Sequence, residues 1–275
     1  ELLTGISIVI GIKRLLKTIR KCLLIIKMTR PTTFFCRVGS KKPIREAIER
    51  ASPKDFTTFV EPFVGSGAIY FAMSDPEKKS VINDKDSDLM AGYKQIKNGV
   101  SGNIDKFNKM PLAQMNNFVK QTPSNEMDRL AKRLYNSCST FGTTGRGKLY
   151  KETNIYTKLK NLDSYKEFMK NTTVLSKDYA SVIRQYDSAG TFFYLDPPYE
   201  NSDRLYESGD GDIDFVKMAS LLKSIKGKFL LSMNDSKAVR DIFKGFNIRG
   251  LTVTQVQGKK GIGVKPRKEV FIKNY

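Results

Sequence analysis

The residues best equipped for chemistry stand together at Asp196-Pro197-Pro198-Tyr199. The run before them, Phe192-Phe193-Tyr194-Leu195, is apolar and aromatic, the pattern of a buried strand reaching the rim of a sheet. Two prolines then stop it, because neither can donate to a ladder and each fixes its own φ. What remains is a stiff loop with one carboxylate, two carbonyls that no ladder consumes, and one aromatic face. Such a set suits a planar ring that bears an amine. Asp196 and the Pro197 carbonyl can accept from the NH₂, Pro198 keeps the loop rigid, and Tyr199 can stack on the ring. The plainer reading is a strand exit stiffened by Pro-Pro.

A second group with chemical potential is Glu61-Pro62-Phe63-Val64-Gly65-Ser66-Gly67. It follows the β-branched and aromatic run Phe56–Val60 and precedes a helix-like Ala68–Met73. Strand, glycine turn and helix open a Rossmann-type unit, where glycines let the backbone approach a nucleotide-like ligand. The third glycine of the dinucleotide fingerprint is missing and no Gly-Lys-Ser/Thr follows, which disfavours a phosphate cradle. The next strand, Val81-Ile82-Asn83-Asp84, ends in an acid where such folds bind a ribose diol. A nucleoside-bearing ligand without pyrophosphate fits, and S-adenosyl-L-methionine is the common one. Asp84 could instead cap the helix that includes Leu89–Ile96.

Composition narrows the chemistry. The 275 residues contain no His, which removes most metal sites and every imidazole-based acid–base mechanism; no metal is expected. Cys22, Cys36 and Cys138 are far apart and odd in number, so neither a disulfide framework nor a zinc site follows, and a reducing compartment is expected. With 48 Lys+Arg against 28 Asp+Glu the formal charge is +20, which points to a polyanionic partner, most simply nucleic acid.

These residues need a sheet to position them. Further strands are expected at Thr172–Ser176, Thr191–Leu195, Phe229–Met233, Ile248–Val256 and Glu269–Lys273, the last two forming an antiparallel hairpin. Helices are expected at Ile44–Arg50, around Phe215–Ile225 and at Lys237–Phe243. The fold class is therefore α/β: a Rossmann-like, mostly parallel sheet with a C-terminal antiparallel hairpin.

Residues 91–170 interrupt the alternation with a helical, polar and basic pattern and read as an insert. Residues 28–90 and 171–275 then make the ligand-binding domain. Within the insert a Gly-rich loop carries Arg146 and Lys148, and the final hairpin loop carries Lys259 and Lys260; both suit a nucleic-acid backbone. A mobile basic surface is the plainer alternative for the first. Residues 1–27 mix short apolar stretches with basic residues, too interrupted to span a bilayer and ordered unlike a signal peptide. They read as a basic membrane-surface helix or as an extension upstream of a native start at Met28. No stable membrane association is expected.

Taken together, Phe59-Val60-Glu61-Pro62-Phe63-Val64-Gly65-Ser66-Gly67, Asn83-Asp84, Asp178-Tyr179, Asp196-Pro197-Pro198-Tyr199 and Arg267–Ile272 resemble the Dam-type family of DNA N6-adenine methyltransferases. The resemblance covers roughly Phe35 to Tyr275. It implies a class I, S-adenosyl-L-methionine-dependent enzyme that methylates the N6 amine of an adenine flipped out of double-stranded DNA. It implies cofactor contacts from Lys41, Glu61, Phe63, Gly65 and Gly67, ribose binding by Asp84, and contacts of Asp178 and Tyr179 with the cofactor's adenine. Asp196, Pro197, Pro198 and Tyr199 would be catalytic and residues 91–170 the target-recognition region. A monomer acting inside the cell where DNA is accessible, and a cognate restriction enzyme, are the partners and place it suggests. Members that methylate GATC tend to carry Lys followed by an aromatic where Cys36-Arg37 stand, so GATC is not implied. An RNA methyltransferase acting on an adenine or guanine amine is the alternative, and a non-catalytic DNA-binding module a second. The placement of the insert between Asp84 and Asp196 favours DNA.

Overall fold

Seven short apolar runs pair into one sheet in the order β3-β2-β1-β4-β5-β7-β6. The structure, a computed structural model, describes residues 31–37, 39–140, 148–198, 213–253 and 267–275. Residues 1–27 lie outside them. The strands are β1 (Thr58–Glu61), β2 (Lys79–Asn83), β3 (Thr172–Leu175), β4 (Thr191–Leu195), β5 (Lys228–Asn234), β6 (Asn247–Val253) and β7 (Arg267–Lys273). β1 pairs in parallel with β2 and β4, β2 with β3, and β4 with β5. β7 runs antiparallel to both β5 and β6, as the expected closing hairpin requires.

Alternation along the strands divides their side chains between two cores. Phe59, Ile82, Phe192, Tyr194 and Leu230 join one cluster; Val60, Val81, Phe193, Leu195, Phe229 and Leu231 join the other. The second cluster is covered by α8 (Tyr179–Tyr186), α9 (Phe215–Ser224) and α10 (Lys237–Ile242) through Val182, Ile183, Met218, Leu222 and Val239.

The first cluster takes α1 (Arg45–Ala51), α2 (Tyr70–Met73), α3 (Ser87–Asn98), α4 (Leu112–Lys120), α5 (Glu126–Ser139), α6 (Tyr156–Lys160) and α7 (Leu162–Phe168). α5 shows why this segment is helical: Met127, Leu130, Ala131, Leu134, Tyr135 and Cys138 are buried at helical spacing. Asn125 caps its start by accepting from the Asp128 N–H. Among the described residues no helix is long and apolar enough to cross a membrane.

The cysteine expectation is corrected here. Cys36 and Cys138 form a disulfide across a sequence separation of 102, with Cα atoms 4.9 Å apart. α5 turns Cys138 inward, and two buried aromatics deliver Cys36 to it. Phe34 packs edge-on against Tyr165 and Phe35 against Tyr93, with centroids 4.8 and 5.1 Å apart. Nothing local in the sequence marks such a pair, and the inference of a reducing compartment loses its basis. Closing so long a loop removes unfolded-chain entropy worth about 4.7 kcal/mol in the chain-entropy account. Reduction, or Cys138→Ser, is therefore expected to lower the unfolding free energy by an amount of that order, read as a lower urea midpoint, and an unchanged midpoint would refute the bridge.

The same stretch is held by Lys158, whose ammonium donates to the Thr33 carbonyl at 3.0 Å and also to that of Phe34. Burial and then the charge of Lys42 push its amine down to about 8 from 10.5. Between those values the unfolded chain binds more protons, so stability rises with pH across the window and is lost as pH falls towards 8. A neutral amine still has two hydrogens, enough for both carbonyls. Relative to Lys158→Met, the native protein is expected to gain about 2 kcal/mol between pH 8 and pH 10, read by urea unfolding at each pH.

Candidate active site

The parallel strands end on one edge of the sheet, and there β1, β2 and β4 release the loops that line a cleft of about 800 Å³. Its walls include Lys41, Glu61, Phe63, Gly65, Asp84, Asp178, Tyr179, Asp196, Pro197 and Pro198. Ligands of open α/β sheets bind at this carboxyl edge. A smaller concavity of about 460 Å³, lined by Leu222, Lys223, Gly245–Asn247 and Lys273–Tyr275, shares no residue with the cleft and has no acidic side chain.

The glycine turn is tied down at several points. Gly65 has φ +46° and Gly67 φ +74°, conformations that favour glycine. Val64 N–H donates to the Asn83 carbonyl at 2.8 Å, and Gly67 N–H to the Val64 carbonyl at 2.8 Å. Tyr93 reaches up from α3 to donate to the Gly65 carbonyl at 3.0 Å. At the tip of β2, Asp84 accepts from the N–H groups of Gly65 and Asp86, each at 3.0 Å. Asp86, not Asp84, caps α3 by accepting from Leu89 N–H. Asn83 links three strand ends, donating to the Pro62 and Lys177 carbonyls and accepting from Lys177 N–H.

Asp178 caps α8 by accepting from Ala180 and Ser181 N–H. Tyr179 faces Phe63 with ring centroids 5.3 Å apart, so two residues distant in sequence form one aromatic wall. Arg37 also lines the cleft and pairs with Asp86. Burial opposes ionisation of Asp86, but the Leu89 N–H and the Arg37 charge prevail and hold its carboxyl below the usual range.

Asp196 leaves β4 as foreseen, but its partners were not. Lys41, only 6% exposed, places its ammonium 2.6 Å from Asp196 Oδ1. Ser232 of β5 donates to the same oxygen at 3.2 Å. Lys41 was expected at the cofactor; it lines the cleft and also touches the carboxylate of the Pro-Pro loop. Ser232 was missed, although a lone hydroxyl within Phe229-Leu230-Leu231-Ser232-Met233, beside the loop of a neighbouring strand, is a usable signal. Lys148 is exposed and is not part of the cleft lining. Tyr199, Arg146, Lys259 and Lys260 lie outside the described residues.

Glu61 provides a test of what the cleft can hold. It is 2% exposed, and its Oε2 makes no hydrogen bond. Burial first, and the negative charges of Asp196 and Asp84 as well, push its carboxyl well above the usual range. A buried carboxyl with one oxygen left without a donor favours a cationic neighbour. S-adenosyl-L-methionine carries two cationic groups, an ammonium and a sulfonium, together with a ribose diol and a flat base. A buried acid, an acid on a glycine turn and an aromatic wall fit that ligand. Among the described residues no cluster of His, Cys, Asp or Glu could hold a metal ion.

A mostly parallel seven-stranded sheet closed by an antiparallel hairpin, with this cleft at its carboxyl edge, is the architecture of an S-adenosyl-L-methionine-dependent methyltransferase. Sequence comparison carries this to a family. The model of the D12 class N6 adenine-specific DNA methyltransferases matches residues 38–255, and the chain belongs to that family. It is thus an adenine-specific DNA methyltransferase. It is 26% identical over 267 residues to the type II methyltransferase M1.LlaDCHI of Lactococcus lactis subsp. cremoris, covering 86% of this chain and 93% of the relative. Identity is 26% over 226 residues to M.CviBI of Paramecium bursaria Chlorella virus NC1A, covering 76% and 85%. It is 27% over 281 residues to M.MjaIII of Methanocaldococcus jannaschii, covering 86% and 96%.

Proposed function

We propose that this chain is a site-specific enzyme that methylates the N6 amine of an adenine extruded from duplex DNA, acting as a monomer. The observation that carries this reading is the position of Asp196, at the end of β4 on the wall of the cleft that Glu61, Gly65 and Asp84 also line. When bound, S-adenosyl-L-methionine supplies a methyl group on a positively charged sulfur.

Lys41, Glu61, Phe63, Gly65, Gly67, Asp84, Asp178 and Tyr179 would hold the cofactor, with Asp84 at the ribose and the Phe63–Tyr179 wall beside the base. Asp196 and the Pro197 carbonyl accept from the target NH₂, drawing its lone pair out of conjugation with the ring and making it nucleophilic. Pro198 holds the loop, and Tyr199 stacks on the flipped base. The Lys41 ammonium, 2.6 Å away, holds the Asp196 carboxylate in place, and Asp196 takes the proton the nitrogen sheds. No histidine is needed.

Residues 91–170, with Arg146 and Lys148, are assigned to target recognition, and Lys259 and Lys260 to the DNA backbone. This rests on their charge and the +20 of the chain. Because M1.LlaDCHI, M.CviBI and M.MjaIII are named type II methyltransferases, the chain is read as the modification half of a restriction–modification pair. It would act inside the cell, where DNA is accessible.

The test is transfer of labelled methyl to duplex DNA and to rRNA, followed by digestion to nucleosides and sequencing that detects modified bases. N6-methyladenine at one repeated duplex sequence is expected. Label in rRNA alone, or in no nucleic acid, would overturn the reading.

A further inference from the structure

We infer that Ser232 and Tyr194 are positioning residues that orient the Asp196 carboxylate through a directed chain of two hydroxyls. The inference rests on the reading that Asp196 receives the target amine. Tyr194 and Asp196 are two apart on β4 and its exit, so they address the same face; Leu230 and Ser232 are two apart on β5. The register pairs Tyr194 with Leu230 and Leu195 with Leu231, which brings Ser232 beside Asp196, one step further on.

Ser232 is fully buried; its Oγ lies 3.2 Å from Asp196 Oδ1 and 2.9 Å from the Tyr194 hydroxyl. Serine has one hydroxyl hydrogen. Given to the carboxylate, it cannot also serve Tyr194, so Tyr194 must donate to Ser232. The order Tyr194 → Ser232 → Asp196 follows from hydrogen counting alone. Burial, followed by the charge of Asp196, raises the Tyr194 phenol well above its usual range and keeps its proton in place.

Lys41 and Ser232 both donate to Oδ1. Two donors from different elements on one oxygen fix the plane of the carboxylate, and hence the direction from which it can accept an amine. The titratable groups facing Asp196 include Lys41 from the loop before α1, Glu61 at the end of β1 and Tyr194 on β4.

The test uses the full chain with duplex DNA in four variants: Ser232→Ala, Tyr194→Phe, the double variant and Asp196→Asn. Ser232→Ala is expected to lower kcat about tenfold with the cofactor Kd within about twofold. Its acid limb in the kcat–pH profile should move to higher pH, because the charged form of Asp196 loses a donor. Tyr194→Phe should shift both quantities the same way by less. Ser232→Ala leaves the Tyr194 hydroxyl without an acceptor and should lower Tm; the double variant removes that hydroxyl and should regain Tm without regaining rate.

Rates that track Tm across the variants would overturn the inference. So would wild-type kcat and an unchanged pH profile in both single variants while Asp196→Asn is inactive. A fully active Asp196→Asn would instead overturn the underlying assignment of Asp196.

Discussion

Replacement of Asp196 by Asn is expected to lower kcat by about 10³-fold while the cofactor Kd changes only a few-fold. Asn keeps the shape of the side chain, and its amide oxygen can still accept from Lys41 and Ser232. The surrounding hydrogen bonds therefore have somewhere to go, and the protein should fold. What Asn removes is the negative charge that polarises the amine and the basic oxygen that takes its proton. Asp196→Ala should be as slow and also less stable, because it removes the 2.6 Å partner of the nearly buried Lys41 ammonium. Single-turnover methyl transfer separates these effects from binding, and chemical denaturation separates them from folding. An Asn variant that turns over at the native rate would sink the assignment.

The second large effect is expected at Gly67. A Cβ there would stand 2.7 Å from the Tyr93 hydroxyl and 3.0 and 3.1 Å from the Phe71 ring. Neither neighbour can retreat. Tyr93 is fully buried and holds the Gly65 carbonyl, and Phe71 is 2% exposed and packed against Tyr70, Tyr165 and Phe168. The backbone at φ +74° also resists any L side chain. Gly67→Ala is expected to cost about 3 kcal/mol of stability and to weaken cofactor binding at least about 100-fold, as the turn opens. Gly65 is the control. Its Cβ would meet no protein atom within 4 Å, so in stability Gly65→Ala carries only conformational strain of about 1 kcal/mol. Equal losses of stability at the two positions, measured by urea unfolding, would show that crowding is not what keeps Gly67.

Much of this could be read from the chain because its strands are strongly written. Phe192–Leu195 and Phe229–Met233 are apolar on both faces, and the strands found there are buried on both faces, each paired to a parallel neighbour. The glycine turn and the acid of β2 were legible for a related reason: strand, turn and helix follow within one local unit. What escaped depends on contacts between distant segments. Lys41 and Asp196 meet because the loop before α1 crosses the end of β4, and Cys36 meets Cys138 only after five helices condense on the sheet. Neither pairing leaves a periodicity. Asp84 shows a subtler limit, since two acids two residues apart compete for one helix cap. The closer one, Asp86, took the helix and left Asp84 to the glycine turn.

The order of the strands in the sheet also governs how the polypeptide can be made. β1 is an interior strand, yet its second neighbour is β4, so that Thr58 pairs with Thr191. While ribosomes are still adding the helical segment between β2 and β3, one edge of β1 has open N–H and C=O groups, and Val60 and Val81 lack the cover of α9 and α10. Such an edge is a template for pairing with another nascent chain. The hairpin of β6 and β7 attaches on β5 after β1 to β5 have been made, so this end of the sheet is covered late. A long interval of edge exposure during synthesis therefore follows from the same topology that places Asp196 beside the glycine turn.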